Sequence, residues 1–303
     1  MLPGQWVREQ ELVGDASCRR YARLWDDQGR TAVVVRYPPS DRRRLARDLE
    51  VRAWCGARGL RVPALLSHEF EGGWAVLEDF GEDDAERTLA ARAPRNRLEL
   101  ALRAINPPAL LAGIPPADLP PWNAPLDRQR MRWELAGFEL WFLRHRGGAQ
   151  PPAMVGRWLD GLAEEIDAHP KRVCHRDYHL NNLFFLNSGE VGVIDFQDVL
   201  VGPESYDAVS LLEERGMPQL LRGRDRAAWR ESWAKTTSAL PGWAERWRMV
   251  RIQRGLKVLG TFARLSVGGD SIYDSWLTEL ARKLAPALEA ALAPAELAHL
   301  LLR

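Results

Sequence analysis

Cysteine is scarce. Cys18, Cys55 and Cys174 are the three in 303 residues, odd in number and never in a C-x-x-C pair. That argues against a disulfide framework and a cysteine-built zinc site, and it fits a reducing cytoplasm. Long apolar runs are missing too, and Met1 to Gln10 lacks the basic start and small-residue cleavage pattern of an export signal. Neither export nor membrane insertion is expected. Nor does either sign of charge dominate: 42 Lys and Arg face 41 Asp and Glu, a formal net charge of +1. No global field therefore draws the chain to nucleic acid or to an anionic membrane, and any affinity for phosphate has to be local. What is present is the material of a soluble globular protein, 46% hydrophobic and 27% charged. Most of the 13 tryptophans fall in helix-like segments, where packing is their usual work.

From Arg8 to Tyr37 the sequence reads as three short strands, the clearest being the β-branched run Thr31 to Tyr37, stopped by Pro38-Pro39. Ser40 or Asp41 then caps a helix to about Arg58, with Leu45, Leu49 and Trp54 as its apolar stripe. Leu65 to Phe70 and Trp74 to Asp79 form a hairpin through Gly72-Gly73. Beyond Gly81 the pattern is helical, broken by seven prolines between Pro107 and Pro125, which read as a long loop or linker. Leu126 to His145 and Met154 to Ala168 read as helices. Two short apolar runs, Leu183 to Leu186 and Val191 to Ile194, flank the turn Asn187-Ser188-Gly189. Past Pro203 everything is helical, with one terminal helix over Ala285 to Leu302. The expected organisation is a small sheet region, 1–80, followed by a larger helical region, 81–303.

Between the last two strands and the segment before them lies the informative constellation. His175-Arg176-Asp177-Tyr178-His179-Leu180-Asn181-Asn182 is followed by Asp195 in Val193-Ile194-Asp195-Phe196. Phosphoryl transfer from ATP needs one carboxylate to orient and deprotonate a hydroxyl. It also needs an amide oxygen and a second carboxylate to hold magnesium against the phosphates. H-R-D-x-x-x-x-N followed by an Asp supplies those groups in that order. Gly14-Asp15-Ala16-Ser17 stands where a phosphate loop is expected but carries one glycine, so a G-x-G-x-x-G cradle is absent.

These residues resemble the kinase catalytic loop, and Gln197 where protein kinases have the glycine of D-F-G, with Asp198, Gly202-Pro203 and Tyr206-Asp207, resembles the aminoglycoside phosphotransferase family. The resemblance implies an α+β, bilobal protein-kinase-like fold, with a small antiparallel-sheet N-lobe holding one helix and a larger, mainly helical C-lobe. It implies Asp177 as base, with Asn182 and Asp195 as ligands of Mg2+. Val33-Val34-Val35-Arg36 aligns with V-A-I-K, so Arg36 stands for the phosphate-binding lysine, with Glu50 as its ion-pair partner. Ser17 and its loop amides cover the phosphates of ATP, while Glu78 and Phe80 bring their backbone to the adenine. His175, Asp198 and Asp207 are expected to support the loop, and His179 to brace it or touch the acceptor. Within the family the chain is most similar to bacterial cell-wall kinases that phosphorylate N-acetylmuramate and N-acetylglucosamine at the anomeric hydroxyl. Besides the loops, this rests on Arg19-Arg20-Tyr21 and on Leu256-Lys257-Val258-Leu259-Gly260. Glu134 and Trp141 would then contact a small-molecule amino sugar in the cytoplasm. Another acceptor, an aminoglycoside or amino alcohol, and a non-catalytic nucleotide-binding module are the rival readings.

Overall fold

The computed structural model describes residues 5–12, 18–148, 150–213, 216–269 and 272–302. It divides into two compact units, Met1–Leu110 with Asp177–Val199, and Leu111–Arg176 with Leu200–Arg303. The division does not run at 80/81. Two helices beyond residue 80, most of a third, and the segment carrying Asp177, Asn182 and Asp195 belong to the same unit as the N-terminal sheet.

That sheet has five antiparallel strands: β1 (Trp6–Leu12), β2 (Arg20–Asp26), β3 (Thr31–Arg36), β4 (Leu65–Glu69) and β5 (Trp74–Glu78), in the order β1-β2-β3-β5-β4. Side chains alternate between its faces. Ala22, Leu24, Ala32, Val34, Trp74 and Val76 pack together on one face. Tyr21, Val35, Ala75 and Leu77 point to the other, where they meet Leu45 and Leu49 of α1 (Arg42–Ala57). The prolines after Tyr37 end β3, because a residue without N–H cannot continue a ladder, and a single 3-10 turn, Pro39–Asp41, leads into α1.

Three short helices follow: α2 (Ala85–Ala90), α3 (Arg97–Leu102) and α4 (Asn106–Ala112). The last runs into the proline-rich segment Pro107 to Pro125 expected to be loop. Pro107 and Pro108 fall in its first turn, where their missing N–H groups leave no helical bond unmade. In the second unit lie α5 (Arg128–Gly137), a π-helical stretch Phe138–Arg146, α6 (Ala153–Asp167) and β6 (Lys171–Cys174). The chain returns to the first unit for the hairpin β7 (Leu183–Phe185) and β8 (Val191–Val193). It then re-enters the second at β9 (Leu200–Pro203), which pairs with β6.

The rest of that unit is α7 (Tyr206–Glu213), α8 (Met217–Leu220), α9 (Arg224–Thr236), α10 (Trp243–Val267), α11 (Ile272–Ala290) and α12 (Ala295–Leu301). The alanine-rich end is thus two helices, separated where Leu292 takes φ +51 ahead of Pro294. Trp229, Trp233 and Trp247 are buried, the last two edge to face, while Trp133 on α5 is 73% exposed and does not belong to the core. The expected helix Leu126 to His145 is α-helical only to Gly137. There α10 crosses it at Gly260, whose hydrogens face the backbone of Gly137 and Phe138. A π-turn in a helix is commonly found at such irregular, functional places.

Candidate active site

Asp177, Asn182 and Asp195 all lie in the first unit, on the turn before β7 and just after β8. Asn182 is buried, and its Nδ2 donates to the Asp177 carbonyl at 2.8 Å and lies 3.2 Å from His179 Nε2. The Ile194 amide donates to the Asn182 carbonyl at 3.0 Å, fastening the residue before Asp195 to Asn182. One backbone carbonyl and one backbone bond therefore bind the three groups into a single cluster. Asp195 itself takes the left-handed conformation, φ +61, which turns its carboxylate away from the path of β8. Its Oδ1 accepts from Gln197 Nε2 at 2.6 Å and Arg19 at 3.3 Å, and the side chain remains 36% exposed. The donor set suits magnesium. With the Asn182 nitrogen occupied, its amide oxygen and the Asp195 carboxylate are the hard oxygen ligands such an ion takes, the remainder coming from phosphates and water.

His175 and Arg176 immediately precede this cluster and belong to the second unit. Asp207, buried at the start of α7, accepts from both of their amides, at 2.7 and 2.9 Å. The two bonds hold the chain where Arg176 adopts φ +79, a conformation a non-glycine residue keeps only under constraint. Burial pushes the Asp207 carboxyl up, and His175, the two amides and Arg254 pull the other way. Replacing Asp207 by asparagine swaps one accepting oxygen for a donor facing an N–H. The expected cost is about 1–3 kcal/mol of stability, read as a lower urea midpoint with unchanged slope.

The remaining expectations divide. Ser17 lies outside the described residues, as does the rest of Val13 to Ser17. Arg36 pairs with Glu9 of β1, bidentate at 2.6 and 2.8 Å, and not with Glu50, which is exposed on α1. Alternation explains this: Arg36 shares its face with Val34, opposite the face that meets α1, so Val35 holds the α1-facing position. The acid that α1 turns toward the sheet is Asp48, which accepts from Tyr37 Oη at 2.7 Å. Arg19 reaches it as well, at 3.4 Å.

Glu78 spends its carboxylate on Arg61 and the Ala64 amide, and the Arg61 bonds hold its pKa below the usual range. The Phe80 ring packs on Phe184 and against Gly192, so only the backbone of this pair is available to a base. His179 sits beside the Asn182 amide, and Asp198 is half-buried in the turn after Asp195. In the second unit, Glu134 is 2% exposed at its side chain and accepts from Gln253 at 3.0 Å, with Arg176 at 3.9 Å. Trp141, half-buried on the π-helical stretch, stacks on His145.

Sequence reading thus gives no role in the site to Arg19, Asp48 or Gln197. Strand alternation from Tyr21 marks Arg19 as facing α1, and helical spacing from Leu45 marks Asp48. Nothing in the sequence marks Gln197 as the partner of Asp195.

Residues 9–247 match the model of the phosphotransferase enzyme family, well over half of the chain. The chain belongs to this family. This phosphotransferase is 33% identical over 282 residues to the N-acetylmuramate/N-acetylglucosamine kinase of Pseudomonas aeruginosa, covering 86% of this chain and 78% of that one. The kinase of the same description from Neisseria meningitidis is 30% identical, with 84% and 77% covered. Among solved structures, an aminoglycoside-3'-phosphotransferase of type VIII superposes with a TM-score of 0.60 at 20% identity, covering 84% of this chain and 96% of that one. A choline kinase from Streptococcus pneumoniae superposes at 0.63 with 11% identity, covering 95% of each. The fold is therefore protein-kinase-like, as expected, and this phosphotransferase is ATP-dependent with a hydroxyl acceptor. Among the described residues no helix is long and apolar enough to cross a membrane.

Proposed function

We propose that the protein transfers the γ-phosphoryl group of ATP to the anomeric hydroxyl of an N-acetylated amino sugar, N-acetylmuramate or N-acetylglucosamine. The reading adds a cytoplasmic role in returning cell-wall sugars to synthesis as sugar 1-phosphates. The observation that carries the chemistry is the cluster in which Asn182 binds the Asp177 carbonyl and Ile194 binds Asn182. It joins a base to two oxygen ligands. The sugar is supported by the kinases named for it, at 30–33% identity over most of both chains.

In this mechanism Asp177 orients the acceptor hydroxyl and takes its proton as the acceptor oxygen bonds to the γ-phosphorus and the bond to the ADP oxygen breaks. Asn182 and Asp195 hold magnesium, which when bound neutralises charge on the phosphates. His179 fixes the Asn182 amide so that its oxygen is the coordinating atom.

The test is incubation with Mg·ATP and, separately, N-acetylmuramate, N-acetylglucosamine and kanamycin, with products read by phosphorus NMR. An anomeric sugar phosphate is expected. Turnover of kanamycin alone replaces the acceptor assignment, and binding of ATP without turnover of any acceptor favours a nucleotide-binding module.

A further inference from the structure

Kinase-type sites need a cation against the phosphates, and the position expected to supply it points elsewhere. Arg36 lies on the sheet face away from α1 and is engaged by Glu9 through both terminal nitrogens. Lysine cannot replace it, because the sequence has none before Lys171 and none in Asp177–Val199, so the whole first unit is without lysine. The cation has to be another arginine.

Arg19 meets the requirement. Two residues before Tyr21, it continues the alternation that turns Tyr21 and Val35 toward α1. One terminal nitrogen lies 3.4 Å from Asp48 on α1 and the other 3.3 Å from Asp195. The side chain is 8% exposed and its plane lies near the Tyr21 ring. Tyr37 donates to the same Asp48 oxygen and fixes the carboxylate from the far side. A guanidinium so nearly removed from water is held only where anions compensate it. Asp48 alone would answer a structural need. The second nitrogen goes instead to the carboxylate assigned to magnesium, so the fork joins the acid of α1 to the metal ligand. Phosphate oxygens are acceptors of the same kind as those carboxylate oxygens, and a rigid guanidinium fork grips two at once.

We propose that Arg19, held between Asp48 and Asp195, is the cation that binds the nucleotide phosphates, in the role the sequence pattern gives to Arg36. The inference rests on the kinase reading of the site but on no particular acceptor. Its test is binding, without turnover, of Mg·AMP-PNP by isothermal titration calorimetry, beside the rise in Tm that the nucleotide causes. Arg19→Ala and the near-isosteric, uncharged Arg19→Gln are expected to bind at least tenfold more weakly. Arg19→Lys should regain most of that loss, because it restores the charge though not the fork. Arg36→Ala should stay within about twofold of wild type. Melting without nucleotide reports folding, and Arg19→Gln carries the test if Arg19→Ala does not fold. Binding by Arg19→Gln within twofold of wild type, or a loss in Arg36→Ala as large as in Arg19→Gln, overturns the assignment. Wild-type protein that binds no Mg·AMP-PNP overturns the kinase reading itself.

Discussion

Asp177→Ala is expected to lower kcat for the sugar acceptor by about a thousandfold while leaving the affinity for Mg·AMP-PNP within a few-fold of wild type. A positioned general base contributes roughly 10²–10⁴ in rate, and orientation of the hydroxyl is lost with it. Binding survives because the link from Asp177 to the metal ligands uses its backbone carbonyl, which accepts from Asn182 Nδ2. Truncating the side chain leaves that bond in place. Asn182→Ala should behave differently, since it removes both the amide oxygen assigned to magnesium and the bond to the Asp177 carbonyl, so magnesium dependence and kcat move together. Steady-state kinetics over a magnesium series, beside calorimetric binding, separates the two patterns. Activity of Asp177→Ala within tenfold of wild type would remove it from the role of base.

The second large effect is on stability. Gly260→Ala is expected to cost about 3 kcal/mol, the upper end of the roughly 1–3 kcal/mol that forcing new atoms into a packed interior costs, because nothing there can relax. A Cβ at Gly260 would meet the Phe138 amide nitrogen at 2.5 Å and the Gly137 carbonyl carbon at 2.7 Å. Both are backbone atoms of the stretch where α5 becomes π-helical, so no side-chain rotation makes room. Gly255, one turn and a half earlier on α10, offers a control: there the neighbours are the side-chain carbons of Leu284, which can shift. Gly255→Ala should therefore lose less than Gly260→Ala in urea unfolding. Equal midpoints for the two variants would contradict the crossing.

The strands and α1 were readable because β-branched runs, prolines and glycines punctuate them, and the central chemical residues because their spacing has few alternatives. Less legible was everything set by one-residue register. V-V-V-R offers a cation in a familiar pattern, yet whether it falls on the α1 face depends on pairing that the run of valines leaves open. The three valines are interchangeable by composition, so the pattern alone does not tell that Val35 faces α1 and that Arg36 pairs with Glu9. The acid on α1 is hidden in a similar way: the pattern points to Glu50, whereas Asp48, two residues earlier, is the one turned toward the sheet. The π-helical stretch was invisible, because its apolar positions satisfy α-helical spacing well enough. Glu134, expected among sugar contacts, is buried against Gln253, which lies far along the sequence on α10 and carries no mark of that pairing.

The interleaving of the two units has a consequence for anyone recombining this protein. Because Asp177–Val199 belongs to one unit with Met1–Leu110 and Leu111–Arg176 to the other, a chimera cut once, at any point along the chain, separates sequences of the same unit. A fragment ending at Leu110 would retain the sheet and Arg19 but lack the hairpin to which Arg103 bonds through the carbonyls of Leu186 and Glu190. Exchanging the first unit with that of a relative takes three crossovers, at 110/111, 176/177 and 199/200. The second unit is likewise moved whole only by transferring Leu111–Arg176 and the sequence from Leu200 onward together.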